Sequence, residues 1–216
     1  IGGALDKAQD ELGISNKLIM CFLRHLDEKS AFKTLDMAMP YLDRISGVGL
    51  DSSEVGHPPQ RFRNVFAEAK GLGLKLVAHA GEEGPPEYVY EALDLLKVDR
   101  IDHGNRSLED TRLVQRLVEE QMPLTVCPQS NLRLAVVKDM ADHPIRDMLS
   151  LGLNACINSD DPAYFGGYMN ENFNSLIDSA GLGEREIFQL TINGFESSFL
   201  DKREKQVHLD RIQALR

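Results

Sequence analysis

Apolar residues alternate along the chain between two patterns. Short continuous runs occupy residues 17–23 (KLIMCFL), 47–50 (GVGL), 75–78 (KLVA), 100–102 (RID), 124–127 (LTVC) and 154–158 (NACIN). Each is too short for a helix and lacks polar alternation, the mark of a strand buried on both faces. Between them lie segments with apolar residues at helical spacing: 28–38, 60–70, 86–96, 108–119 and 145–151. Residues 60–70 stop at Gly71, and 86–96 open on Pro86, which suits a first helical turn. Strand and helix alternate six times, about 25 to 30 residues apart, so the pattern predicts parallel β/α units. After Gly167 it predicts helices and no further strand. No Pro/Gly/Ser linker interrupts the chain, so residues 1–216 are read as one domain.

Six units fit an open doubly wound sheet. A closed (β/α)8 barrel requires eight units and typically about 250 residues. The spacing leaves both open.

Composition excludes several classes. The 216 residues are 42% hydrophobic and 27% charged, enough for a sizeable core, and no 18-residue apolar run is present. Net charge is −10 with Lys and Arg scattered, which argues against a nucleic-acid partner and a membrane surface. A small neutral or cationic substrate suits that field better than a polyanion. Cys21, Cys127 and Cys156 form no C-x-x-C pair and no disulfide framework, so buried, reduced thiols and a cytoplasmic location are expected. The chain begins at Ile1 with no signal-peptide pattern and no starting Met, and a fragment is expected.

Titratable side chains follow strand after strand on the same end. Asp51 and Glu54 follow the second run, and His79 and Glu82 the third. Asp102 and His103 close the fourth, Ser130 and Asn131 follow the fifth, and Asp160 and Asp161 the sixth. In a barrel these ends converge on one face, where histidines and carboxylates together suit a metal with nitrogen and oxygen ligands. Each has an ordinary explanation alone. His79 is a satisfied core histidine, Asp102 and His103 pair to hold a loop, Glu82 complements a helix dipole, and Asp160 and Asp161 form a turn or cap. Cys127 is not taken as a nucleophile, since a strand-buried thiol has no reason to ionise. His25, His57, His143 and His208 are read as surface or loop residues.

Four motifs in order, HAGE at 79–82, DHG at 102–104, CPQSN at 127–131 and SDDP at 159–162, resemble the adenosine/adenine deaminase family of metal-dependent hydrolases, and the resemblance covers essentially the whole chain. LDSSEVGHPP at 50–59 and NSDDPAYFGGY at 158–168 are more similar to its adenine-using branch. The resemblance implies a (β/α)8 TIM barrel in which the six runs are strands three to eight, followed by C-terminal helices. It implies His79 and Asp160 as metal ligands, Glu82 as proton donor to the purine, His103 as the residue that orients or deprotonates the attacking water, and Asp161 as the partner of purine N7. The family's first strand carries a His-x-His pair. No such pair occurs here, so the N-terminal units are expected to be missing and the segment alone to bind metal poorly and be inactive.

The reaction implied is hydrolytic deamination of adenine to hypoxanthine and ammonia, in purine salvage, with Zn²⁺ as cofactor and Fe²⁺ as the alternative. Glu54 stands where the nucleoside-using enzymes resemble one another in having a small residue. A carboxylate there can accept a bond from N9–H of the free base, so its loss is expected to weaken adenine use more than adenosine use. The alternatives are an adenosine deaminase, another amidohydrolase and an inactive purine-binding barrel. The H-x-E and P-C-x-x-C signature of cytidine-type deaminases is absent.

Overall fold

A computed structural model of the protein describes residues 1–215. Six strands form one parallel sheet in chain order: β1 Leu18–Leu23, β2 Ile45–Asp51, β3 Lys75–Ala80, β4 Arg100–His103, β5 Leu124–Val126 and β6 Ala155–Ile157. Each pairs with the next, and no pairing joins β6 to β1 among the described residues. Every expected run therefore becomes a strand, and because all six are parallel their C-terminal ends lie on one side.

The helices follow the expected alternation with local differences. They are α1 Gly2–Leu12, α2 Glu28–Ala38, α3 Arg63–Gly71, α4 Pro86–Glu91, α5 Thr111–Glu119, α6 Pro128–Arg133, α7 Ile145–Ser150, α8 Pro162–Phe165, α9 Met169–Ala180, α10 Glu184–Glu196 and α11 Lys202–Gln213. The tail is helical, as expected, while α1, α6 and α8 have no counterpart in the apolar pattern. Residues 86–96 form not one α-helix but α4 followed by a π-helical turn over Ala92–Leu96, closed by Lys97 at φ 58°. The segment 108–119 is likewise divided. Asp110 accepts bonds from the backbone N–H of Arg112 (2.8 Å) and Leu113 (3.2 Å), so α5 starts only at Thr111.

One hydrophobic cluster runs from β1 to α10. Val65, Phe66 and Ala69 of α3 meet the sheet, with Phe66 packed edge-on against Phe22 at 5.9 Å between ring centroids. Full burial of a side chain such as Phe66 stabilises the fold by about 1.5–3 kcal/mol. Leu113 and Leu117 of α5, Ile145 and Met148 of α7 and Leu190 of α10 continue this layer. Asn193 of α10 donates from Nδ2 to the Ala155 carbonyl of β6 at 2.7 Å. The strand β1 departs from the expected double burial, because it is an edge strand. Cys21 on it is exposed, whereas Cys127 and Cys156 are buried.

Candidate metal and catalytic site

The register of the sheet brings the site together. His79 pairs with Asp102, and Ala80 with His103, across β3 and β4. His103 is the last residue of β4, and its backbone is left-handed (φ 69°), followed by Gly104 at φ 78°. Such a conformation is costly for a non-glycine residue, by about 1–3 kcal/mol. The imidazoles of His79 and His103 stand edge to face with centroids 4.6 Å apart. A ring nitrogen from each and a carboxylate oxygen of Glu82 lie within 4.8 Å of one another. His103 also belongs to a second group at that spacing, with the Cys127 thiol and the Asp160 carboxylate. Asp160 too is left-handed (φ 55°). His103 thus links the β3 and β6 strand ends.

The donor set fits a divalent cation of intermediate softness. Burial and the neighbouring His79 push the His103 imidazole down to about 3, so it is neutral and keeps a lone pair. Its Nδ1 is buried with no hydrogen-bond partner. That nitrogen stands 3.3 Å from Glu82 Oε1 without the geometry of a hydrogen bond. Below the histidines, Asp102 accepts from Thr125 Oγ1 at 2.7 Å and from Arg100 Nε at 3.1 Å. Burial acts to raise the Asp102 carboxyl, but the Arg100 charge, His79 and the Thr125 bond outweigh it and hold it below the ordinary value.

Glu82 is 7% exposed. Desolvation, then repulsion from Asp160, Glu54 and Glu83, pushes its carboxyl up from 4.5 to about 8. Asn131 Nδ2 opposes the shift by donating to Oε1 at 3.3 Å. The buried thiol of Cys127 is raised well above its ordinary value by desolvation and the nearby carboxylates, which removes it as a nucleophile.

The loop carrying Glu82 is held from beneath by Glu54, 1% exposed. Glu54 Oε1 accepts the N–H of Gly81 at 2.7 Å. Its Oε2 accepts those of Glu82 (3.0 Å), Glu83 (2.9 Å) and Gly84 (2.9 Å). Four N–H groups thus take up the roughly four lone-pair positions of a carboxylate. Glu54, expected to accept from the purine, meets backbone instead. Arg24, at the end of β1 and fully buried, completes the brace: Nη1 donates to the His79 carbonyl (2.7 Å) and Nε to the His57 carbonyl (2.8 Å). Gly81 supplies a φ of 72°, and a Cβ at Gly84 would lie 2.5 Å from Glu54 Oε1. Arg24 has no signal in the sequence, since its acceptors arrive from residues 33 and 55 positions away.

The adjacent aspartates are separated by the turn. Asp160 faces His103, while Asp161 caps α8, its Oδ1 accepting the Tyr164 N–H at 3.3 Å. Both are exposed. His143 is corrected from a surface residue to a buried one, 4% exposed, bonded through Nε2 to Asn131 Oδ1 at 3.3 Å.

A parallel β/α sheet with histidines and carboxylates gathered at its C-terminal edge is the frame of a barrel amidohydrolase. A model of the family described as adenosine deaminase matches residues 1–215, and the chain belongs to that family. It is 57% identical over 212 residues to an adenine deaminase of Marinomonas sp., covering 98% of this chain and 63% of that protein. It is 62% identical over 211 residues to one of Sphingopyxis alaskensis, covering 98% and 62%. The chain thus spans less than two thirds of the length of these relatives. Among solved structures, an adenine deaminase from Arthrobacter aurescens superposes with a TM-score of 0.96 at 49% identity, over 99% of this chain and 65% of that one. An amidohydrolase from Burkholderia ambifaria with bound Zn superposes with a TM-score of 0.88 at 28% identity, over 98% and 61%. The chain accordingly shares the TIM-barrel-like amidohydrolase fold.

Proposed function

We propose that this chain contributes the proton-transfer half of an adenine deaminase site, acting in purine salvage in the cytoplasm on the free base. The observation that carries the reading is the cluster of His79, Glu82 and His103 within 4.8 Å, with Glu82 held protonated near neutrality.

Zn²⁺, with Fe²⁺ as the alternative, would be held by His79 and Asp160 and supplies the Lewis acidity that lowers the pKa of a water towards about 7. The remaining work falls to the chain. His103, neutral in its buried position and so keeping a free lone pair, orients or deprotonates the attacking water as that water adds to C6 of adenine. Glu82 donates its proton to ring N1 in the same step, so charge does not build up on the purine. The proton taken from the water passes to the amino nitrogen, the C6–N bond breaks to release ammonia, and the C6 hydroxyl returns its proton to the Glu82 carboxylate, leaving hypoxanthine. Asp161, with Oδ1 on the Tyr164 N–H, shares a proton with N7 through its second oxygen. Glu54 acts on the substrate through the loop it braces. The acidic chain suits a neutral base, and no helix among the described residues is long and apolar enough to cross a membrane.

The test uses the protein at the length of its relatives, loaded with Zn²⁺, with ammonia release measured from adenine and from adenosine. Release from adenine with little from adenosine is expected. Preference for adenosine assigns the nucleoside reaction, and no release with no bound metal assigns a binding role.

A further inference from the structure

The proton on Glu82 has two oxygens to choose from, and a chain of buried side chains, two of them outside the motifs, makes the choice. Its anchor is a backbone group. Ile145 N–H donates to His143 Nδ1 at 3.2 Å. A main-chain N–H cannot reverse its role, so Nδ1 must present its lone pair. Burial lowers the His143 imidazole from 6.5 to about 4, so the ring carries a single proton, which then sits on Nε2. From there it points at Asn131 Oδ1, 3.3 Å away. The same oxygen accepts Asn105 Nδ2 at 2.7 Å. Both lone pairs of the Asn131 carbonyl are thus occupied, and a flipped amide would set NH₂ against the His143 Nε2–H, the donor that the backbone fixes. The amide nitrogen is therefore forced to face Glu82 Oε1, where it donates at 3.3 Å. Asn131 is wholly buried, and Asn105 and His143 are 5% and 4% exposed, so water does not compete for these positions.

We propose that His143 and Asn105 are positioning residues for the acid: they lock the Asn131 amide so that Glu82 Oε1 is kept as an acceptor and the transferable proton resides on Oε2. The inference rests on the reading of Glu82 as the proton donor, and it assigns the site a specific oxygen. Nothing moves covalently in this network. Its output is orientation, which governs the efficiency of proton transfer in the reaction.

Two measurements test it on the Zn²⁺-loaded protein at the length of its relatives. The first is ¹⁵N NMR of His143 in the unaltered protein. A neutral ring with the proton on Nε2, unchanged from about pH 5.5 to 9, is expected. A proton on Nδ1, or titration within that range, overturns the proposal whether or not any variant folds. The second is kinetic. His143→Leu removes the donor to Asn131, and kcat for adenine is expected to fall about tenfold, a fraction of what a general acid contributes, with KM and zinc content unchanged. His143→Gln, whose amide can donate to Asn131, is expected to recover kcat to within about threefold of the parent. Equal kcat in parent and His143→Leu, or a loss in His143→Leu that appears in KM or zinc content, overturns it. If the parent releases no ammonia from adenine, the functional reading fails by itself, while the NMR result still decides the orientation of the network.

Discussion

The backbone N–H of Glu82 donates to Glu54 Oε2 at 3.0 Å, so one carboxyl group of the site is hung from another. Three further N–H groups of the same loop meet the Glu54 carboxylate. Bonds to a charged acceptor contribute about 1.5–3 kcal/mol each, and a buried donor left unpaired loses a comparable amount.

Glu54→Ala should therefore destabilise the protein by about 3 kcal/mol or more and lower turnover of adenine and of any residual adenosine substrate alike. Denaturant unfolding and kinetics with both substrates check this. A loss confined to adenine would return Glu54 to direct contact with the purine N9–H.

Gly84→Ala tests the same brace from the other side. Its Cβ would approach Glu54 Oε1 at 2.5 Å and Tyr88 Cδ2 at 2.6 Å. The expected cost is about 1–3 kcal/mol, typical of overpacking, together with reduced turnover. Gly71→Ala is the control: it ends α3, with nothing within 4 Å of the added carbon. It should be neutral or stabilising by up to about 1 kcal/mol. Thermal unfolding of the two variants side by side separates these outcomes.

Glu82 couples stability to pH with a definite sign. Its carboxyl lies near 8 in the fold against 4.5 ordinarily, so between these values the native state holds a proton that the unfolded chain has released. Stability of the metal-free protein from this group is fully present below pH 4.5 and falls as pH rises through 8, by an amount on the order of a few kcal/mol. Glu82→Gln should flatten that slope and unfold at higher denaturant than the parent at pH 8, while losing about 10²–10⁴-fold in kcat as the acid disappears. Unfolding curves at pH 5 and pH 8 measure the first effect. A parent slope of opposite sign rules it out.

His79→Ala and Asp160→Asn each remove a proposed ligand from groups that share His103. Both variants should lose at least about 100-fold in zinc affinity, beyond the roughly 10–100-fold that outer-sphere changes commonly cost, while keeping the fold, since Asp160 is exposed and His79 only partly buried. Metal analysis after dialysis against a weak chelator, paired with circular dichroism, reads both. Full zinc occupancy in Asp160→Asn transfers the ligand role elsewhere.

Much of this molecule was legible from residue order alone because the signals are local. A run such as KLVA cannot bury its backbone except in a sheet, and six such runs joined by amphipathic segments admit few arrangements besides parallel β/α units. Strand ends rich in His, Glu and Asp marked a candidate site, and the fold gathers His79, Glu82 and His103 within 4.8 Å there. Where the pattern failed, a short-range competitor prevailed: the Asp110 side chain divided the segment 108–119, and the π turn at Ala92–Leu96 ended α4 early. The small helices α6 and α8 each begin at a proline and have too few residues to show a period.

Residue order established which chemical groups are present and at which end of each strand they stand, because strand formation and side-chain type are properties of neighbouring residues. Which group touches which was decided only by the folded chain. Glu54 reaches a loop 27 to 30 positions away, Arg24 a carbonyl 55 positions away, and His143 an amide 12 positions away. No periodicity encodes such partners. They exist because burial leaves each charge or donor no water to turn to and obliges it to find a complement within the protein.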